Sequence, residues 1–223
     1  MDIEAPHGPI ESWKDFFIHL CIITLGLLIA LGLEGMVAHF HERNLVKEAR
    51  ANIRTEIVEN QKSLEDFVKA NAQNEAEIQH LLDYLDQLKK NPKAHGSATI
   101  AYSMIDLNRS SWNTAAATGA LSFMKYRDVK HYEDIYDTQK DFALMQQQAL
   151  DSLGNGYASF FQMLRQQNQS SEAHGDATKL TEAEVTQINA VQEKLQLYLA
   201  RLTFIGDASK SLDQQYSKFL KSN

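Results

Sequence analysis

The feature that most constrains this chain is an apolar run from Phe16 to Leu33. The run has a single ionisable side chain, His19, and no proline. At 1.5 Å rise per residue, a helix of about 18 residues covers most of a hydrocarbon layer roughly 30 Å thick, and tilt or flanking residues absorb the shortfall. No later segment is comparably apolar. The sequence therefore predicts one membrane-spanning helix near the amino terminus.

The rest of the chain has the composition of long helices. Only 10 glycines and 3 prolines interrupt 223 residues, and Gln, Lys, Glu, Ala and Leu are abundant. We expect an all-α fold in which one N-terminal transmembrane helix continues into an elongated antiparallel helical bundle of about four helices. The predicted organisation is an acidic tail over residues 1–15, a transmembrane helix over 16–40 and a soluble bundle over 41–223.

The charge distribution argues against a nucleic-acid partner. The formal net charge is −7, of which the first fifteen residues contribute −3 and Glu34 contributes −1. The remainder is close to neutral and shows no basic stripe of the kind that phosphate binding requires. The one cysteine, Cys21, lies inside the apolar run, so no disulfide can form within the chain.

The flanks of the apolar run predict an uncleaved anchor and its orientation. A cleaved signal peptide would begin with basic residues, whereas this chain begins with an acidic tail. Lys14 alone precedes the run, while Arg43, Lys47, Arg50 and Arg54 follow it. By the positive-inside rule, the large C-terminal part is expected in the cytoplasm.

One face of the predicted span differs from the others. At 100° per residue, His19, Gly26, Ala30 and Glu34 fall within an arc of about 80°. Small residues at a spacing of four allow close approach of another helix. We therefore expect this face to pack on a partner helix. The alternative is that His19 and Glu34 belong to a proton or ion path.

Beyond the membrane, hydrophobic periodicity predicts further helices. The first runs from Val46 to just before Pro92, and residues 91–96, Asn-Pro-Lys-Ala-His-Gly, are the first clear turn signal after it. A short helix at best is expected over Thr99–Leu107, and a third helix from Asp128 to about Asn168. The fourth begins at the capping box Thr181-Glu-Ala-Glu.

Some polar residues are expected inside the bundle and others on its surface. Three polar residues lie on or beside the apolar stripe of the first long helix, where they are candidates for hydrogen bonds to a neighbouring helix: Asn60, Asn71 and Glu75. Tyrosine hydroxyls of the third helix are candidate partners of Asn or Gln on facing helices. Glu48, Glu56 and Lys62 are expected on a solvated helix surface.

The segment from Ser110 to Ala120 consists almost entirely of small residues around one large aromatic side chain, Trp112. Small side chains would let it lie close against its neighbours, with Trp112 as a core anchor. The alternative is a small-ligand pocket lined by Trp112, Thr114 and Thr118, with Gly119 allowing close approach.

No catalytic signature is found. The sequence has no glycine-rich phosphate loop, no GxSxG elbow and no HExxH motif. Glu77 and His80 have the spacing used in di-iron bundles, and Asp128 and His131 repeat it loosely. However, His80 lies about 200° from the inward-facing Ile78, so it should face solvent. We predict no catalytic, cofactor or metal site.

Two stretches carry a resemblance to a family. GLLIALGLE followed by HERNLVKEARANIRTEI, and later SSWNTAAATGALSFM with YEDIYDTQ, resemble an uncharacterised bacterial family of single-pass membrane proteins. The resemblance touches residues 26–64 and 111–139, under half of the chain. It implies a bacterial membrane protein and carries no known activity, catalytic residue or ligand.

These observations predict a nonenzymatic structural or accessory subunit of a membrane assembly. The expected partners are the lipid bilayer and either a second copy of the chain or another membrane protein, and the expected location is the bacterial inner membrane. Two alternatives remain open. One is a small-molecule sensor subunit with a polar bundle interior, and the other is a proton-conducting assembly that uses His19 and Glu34.

Overall fold

The protein is an all-α molecule in the part of the chain that its computed structural model describes, residues 13–94, 102–174 and 179–222. Side chains are described over the same ranges except at 167–174 and 222. The helices are α1 Trp13–Lys90, α2 Ser110–Ala117, a 3-10 helix Ala120–Phe123, α3 Tyr126–His174 and α4 Glu182–Ser222. The predicted fold class, a long apolar N-terminal helix and a helical bundle, is confirmed. The acidic tail lies mostly outside the described residues.

The longest element, α1, joins the apolar run to the bundle without a break. Its 78 residues correspond to a helix about 117 Å long. Residues 36–90 contain neither glycine nor proline, so no helix breaker separates the two parts. Every residue from 13 to 41 is exposed, whereas burial begins near Leu45. The amino-terminal part of α1 therefore extends beyond the bundle as a single helix, long and apolar enough to cross a membrane.

Two of the three long helices run in the same direction, and the third runs against them. At the end of the bundle next to the apolar run, the Arg50 guanidinium contacts the Asp128 carboxylate at 2.8 Å, which places the start of α3 there. The end of α4 returns to the same place, because Arg54 donates to the Leu220 carbonyl at 3.2 Å. Thus α3 runs parallel to α1, and α4 runs antiparallel to both and packs on both.

The core follows a regular spacing along α1. Buried residues alternate at intervals of three and four, the pattern by which helices pack side by side. They are Ile53, Ile57, Asn60, Leu64, Phe67, Asn71, Asn74, Ile78, Leu81, Leu85 and Leu88. From α3 and α4, large rings fill the same core, including Phe142, Tyr136, Tyr198, Tyr216 and Phe219. The expected polar positions Asn60 and Asn71 are confirmed as buried.

The described part of the chain between α1 and α2 does not form the helix that the sequence predicts there. Residues 102–109, which we call the return segment, are non-helical, so the short helix expected over Thr99–Leu107 is wrong in its described part. The reason is the distance along α1 that the chain must cover between Lys90 and Asn108. Asn108 lies beside Asn60, about 45 Å back along α1 from Lys90, and only eighteen residues connect Lys90 to Asn108. A helix of that length covers about 27 Å, whereas an extended chain covers about 60 Å.

Polar contacts mark the starts of α3 and α4. The capping box of α4 is confirmed: the Thr181 backbone N–H donates to Glu184 Oε2 at 2.8 Å, and the Glu184 N–H donates to Thr181 Oγ1 at 3.3 Å. The start of α3 is two residues earlier than expected, at Tyr126. Asp128 lies in its first turn and pairs with Arg50.

Replacing Thr181 with alanine should destabilise the bundle by about 1 kcal/mol, because the Glu184 N–H loses its side-chain acceptor. Thr186→Ala is the matched control, since its hydroxyl only donates back to the Glu182 carbonyl within α4 and alanine is the better helix former. Thermal unfolding of the full chain in neutral detergent, followed by circular dichroism, should separate the two variants. Equal melting temperatures would contradict the role of the cap.

Candidate functional site

The predicted packing face of the span is exposed, as are all other sides of α1 from residue 13 to residue 41. His19, Gly26, Ala30 and Glu34 are all exposed. A Cβ added at Gly26 would meet no atom within 4 Å. The His19 Nδ1 atom lies 2.8 Å from the Asp15 carbonyl, and Glu34 makes no hydrogen bond or ion pair among the described residues. Whatever covers this face is not part of the described chain.

The small-residue segment is folded against the core through Trp112. The indole is half-buried and stacks on the Tyr136 ring, with centroids 5.4 Å apart and planes 21° apart. The Thr118 hydroxyl donates to the Thr114 carbonyl at 2.9 Å, and Thr114 itself is exposed. Gly119 has φ of 76°, a left-handed conformation that ends α2 and starts the 3-10 helix. Thr114 and Thr118 are therefore both exposed, whereas Trp112 packs against the core.

A buried carboxylate lies beneath this segment and was missed at the level of sequence. Glu56 is 3% exposed, so its expected position on a solvated surface is wrong. The Tyr136 hydroxyl donates to Glu56 Oε1 at 2.5 Å, and the Ser111 backbone N–H donates to Oε2 at 2.7 Å. We call Glu56, Ser111, Trp112 and Tyr136 the Glu56 cluster. It ties α2 to α1 and α3 at one point.

The spacing of α1 contains the signal that identifies Glu56. It lies three residues after Ile53 and four before Asn60, both of which are buried, so it shares their side of the helix. Periodicity alone does not show how wide the buried stripe is. The stripe is wider here because α2 covers the helix next to the core, and its small side chains, such as Ala115, permit close approach.

Two side-chain amides hold the return segment on either side. Asn60 on α1 donates to the Asn108 carbonyl at 2.7 Å and accepts from the Asn108 N–H at 2.8 Å. Gln146 on α3 pairs in the same way with Ile105, at 3.0 and 2.9 Å. Backbone groups three residues apart in an extended chain point to opposite sides. Each side-chain amide therefore makes the pair of hydrogen bonds that a neighbouring strand would make in a sheet.

Amides also connect the long helices. Asn71 donates to the Leu202 carbonyl at 3.0 Å and to Glu75 Oε1 at 2.7 Å. Gly206 allows this approach, because a Cβ there would lie 3.3 Å from the Asn71 amide nitrogen. Gln139 donates to the Tyr216 hydroxyl at 2.8 Å. A tyrosine–amide bond between facing helices is therefore present, but with the roles exchanged: the amide is on α3 and the tyrosine on α4, whereas Tyr136 of α3 bonds to the Glu56 carboxylate.

Burial shifts the pKa of three core tyrosines upward. Desolvation is the main cause of the raised pKa of Tyr136, and its hydrogen bond to the Glu56 carboxylate adds to it. Desolvation likewise raises the pKa of Tyr198 and, against an opposing hydrogen bond from Gln139, that of Tyr216. All three hydroxyls therefore keep their protons in the folded protein well above the usual pKa near 10.

The metal-like spacings do not converge in the described residues. No group of three or more His, Cys, Asp or Glu side chains there is placed to hold an ion. His80 faces solvent, as its angle along α1 predicts. The His131 ring packs edge-on against Phe219 at 5.7 Å, and Asp128 pairs with Arg50.

Comparison with known proteins adds no relative: no family model, no curated protein and no solved structure matches the chain. The geometry of its own residues therefore carries the functional conclusion. In the Glu56 cluster and the amide pairs, that geometry is suited to holding chain segments together.

Replacing Glu56 with glutamine should destabilise the bundle by about 1–3 kcal/mol, because the amide has one acceptor oxygen instead of two and no charge, so the two charge-assisted hydrogen bonds from Ser111 and Tyr136 are not both kept. The matched control is Glu48→Gln on the exposed side of α1, which should change stability by less than about 0.5 kcal/mol. Thermal unfolding of the full chain in detergent measures both. A Glu56 variant as stable as wild type would show that the buried carboxylate is not a structural tie.

The raised tyrosine pKa values predict loss of stability in alkali. Above about pH 10 the unfolded chain releases tyrosine protons that the folded chain keeps, so the free energy of unfolding falls as pH rises. Each buried tyrosine contributes about 1.4 kcal/mol per pH unit there. Tyr136→Phe removes one such proton, so it should reduce this slope by about 1.4 kcal/mol per pH unit, and the variant should be less stable at neutral pH. Tyr126→Phe, at a site 82% exposed, should leave the slope unchanged. Unfolding curves between about pH 9 and 11.5 measure these slopes.

Proposed function

We propose that this protein is a nonenzymatic, membrane-anchored accessory subunit, in which the apolar end of α1 crosses the bilayer and the bundle forms a stiff arm outside it. One observation carries the proposal. The apolar part of α1 is exposed along its whole length and continues unbroken into a well-packed bundle. Such a surface in water would be costly at about 25 cal/mol per Å², whereas lipid matches it.

The dimensions of the exposed helix support this assignment. From Trp13 to Phe40 the helix rises about 40 Å, close to the thickness of a bilayer with its headgroup regions. Trp13, Phe16 and Phe17 contact one another at one end, with ring centroids 5.7–6.2 Å apart. Phe40 lies at the other end. Aromatic rings at both ends of a span are typical of anchoring at the two interfaces.

The partner that we propose for the span is a second copy of the same chain. Gly26 and Ala30 offer a surface on which a helix backbone approaches closely, and any partner there comes from outside the described chain. At 100° per residue, the core-facing Ile53 lies about 140° around α1 from Ala30. The bundle is then on the far side of the helix from this face. Two copies can meet through their spans without a clash between their bundles.

The location follows from the charges beside the span and from the family resemblance. Arg43, Lys47, Arg50 and Arg54 favour a cytoplasmic bundle, and the resemblance favours a bacterial inner membrane. The two other functions gain less support. Trp112 is used in stacking on Tyr136, and His19 is separated from Glu34 by about 22 Å of helix.

A cysteine at position 30 should form a disulfide-linked dimer in membranes, because a disulfide needs the two Cα atoms within about 7 Å. In a Cys21→Ser background, Ala30→Cys tests the packing face. Leu28→Cys is the matched control at nearly the same depth and about 160° around the helix. Oxidation followed by non-reducing electrophoresis should give a dimer with the first variant only. Equal crosslinking of both variants, or of neither, would overturn the proposed face.

Gly26→Leu should reduce the crosslinked fraction of the Ala30→Cys variant. Within the chain a side chain at this position meets nothing, so any effect reports on a partner.

Extraction of the membranes with alkaline carbonate tests the anchor itself. A full-length chain that leaves the membrane under this treatment and stays monodisperse without detergent would refute the anchor.

A further inference from the structure

The end of the bundle next to the span contains a groove with both cationic and apolar walls. Its volume is about 430 Å³, and it lies between α1 and the 3-10 helix. Arg43, Lys47 and Arg50 contribute the cations at spacings of four and three, so they share one side of α1. Val46 and Phe123 contribute apolar surface.

Two of the three cations are not used by the fold. Arg50 pairs with Asp128 at 2.8 Å. Arg43 and Lys47 are exposed and make no ion pair or hydrogen bond within the described residues. The groove also contains one carboxylate, Glu42, which lies 4.0 Å from the His39 ring nitrogen. The groove therefore has an excess of positive charge available to an anion.

The groove lies where lipid headgroups would be. Arg43 follows Phe40, the aromatic residue at the end of the proposed span, by about 4.5 Å of helix. Two large aromatic side chains are exposed at this end of the bundle, Phe123 at 49% and Tyr126 at 82%. Cations and exposed aromatic rings just outside a span are the combination that binds the headgroup region of a membrane.

We propose that this groove binds the phosphate of an anionic phospholipid in the leaflet that faces the bundle. Arg43 and Lys47 hold the phosphate, while Val46 and Phe123 contact the apolar part of the lipid next to it. The proposal rests on the span crossing the bilayer, which places these residues among headgroups. Because the 3-10 helix shares the groove with α1, a bound lipid would contact the bundle through both elements.

The test uses the full chain in neutral detergent and measures the rise in melting temperature on adding short-chain phosphatidylglycerol, phosphatidylcholine or inorganic phosphate. Phosphatidylglycerol should stabilise the wild type, and the other two should have little effect. In Arg43→Gln/Lys47→Gln, the lipid concentration needed for half of the shift should rise about fivefold for each charge removed. Lys62→Gln/Lys90→Gln removes the same charge from exposed positions elsewhere on α1 and should behave as wild type.

Three results would overturn the proposal. They are an unchanged phosphatidylglycerol response in the Arg43 and Lys47 variant, an equal response to phosphatidylcholine, and an equal response to inorganic phosphate, which would mean a site for free anions. If the double variant melts lower without lipid, Arg43→Gln alone gives the same comparison. Crosslinking through Ala30→Cys in the double-variant background separates the two proposals, because dimer formation there depends on the span face and not on the groove.

Discussion

The structure depends on a distance that the chain must cover after α1 ends. Lys90 is about 45 Å from the level of Asn60, and eighteen helical residues from Lys90 to Asn108 would cover only about 27 Å of that distance. An extended segment inside a helical bundle has backbone N–H and C=O groups without helical partners. Asn60 and Gln146 supply these partners. With the return segment held, α2 and α3 can begin at the end of the bundle nearest the span.

Polar groups in the core fix the register in which the helices pack. An apolar heptad pattern allows helices to slide by one turn at modest cost, whereas a buried amide is satisfied in one register and is costly in others. Asn71 reaches the Leu202 carbonyl only where Gly206 leaves room, and Gln139 meets the Tyr216 hydroxyl about two turns before the end of α4. Glu56 fixes the position of α2 in the same way, through its hydrogen bond from the Ser111 N–H. Its burial is tolerable because both carboxylate oxygens accept hydrogen bonds.

Continuity of α1 links these contacts to the proposed membrane span. A single helix carries the apolar segment and one wall of the bundle, so the orientation of that segment also sets the orientation of the bundle. The proposed dimer face and the core-facing side of α1 lie on roughly opposite sides of that helix. The basic groove at the junction lies beside the 3-10 helix, close to where the Arg50 and Asp128 pair holds α3. Association, lipid contact and bundle packing thus use separate surfaces.

The sequence by itself determined the helix content, the apolar segment of α1, the burial of Asn60 and Asn71 and the N-terminal cap of α4 at Thr181. These features depend on periodicity along one helix or on contacts within four residues, which the sequence displays directly. Only the tertiary structure decided the conformation of residues 102–109 and the burial of Glu56. The return segment is extended because of the distance between two remote points, although its residues permit a helix. Glu56 is buried because Ser111 and Tyr136, 55 and 80 residues away in the chain, close over it.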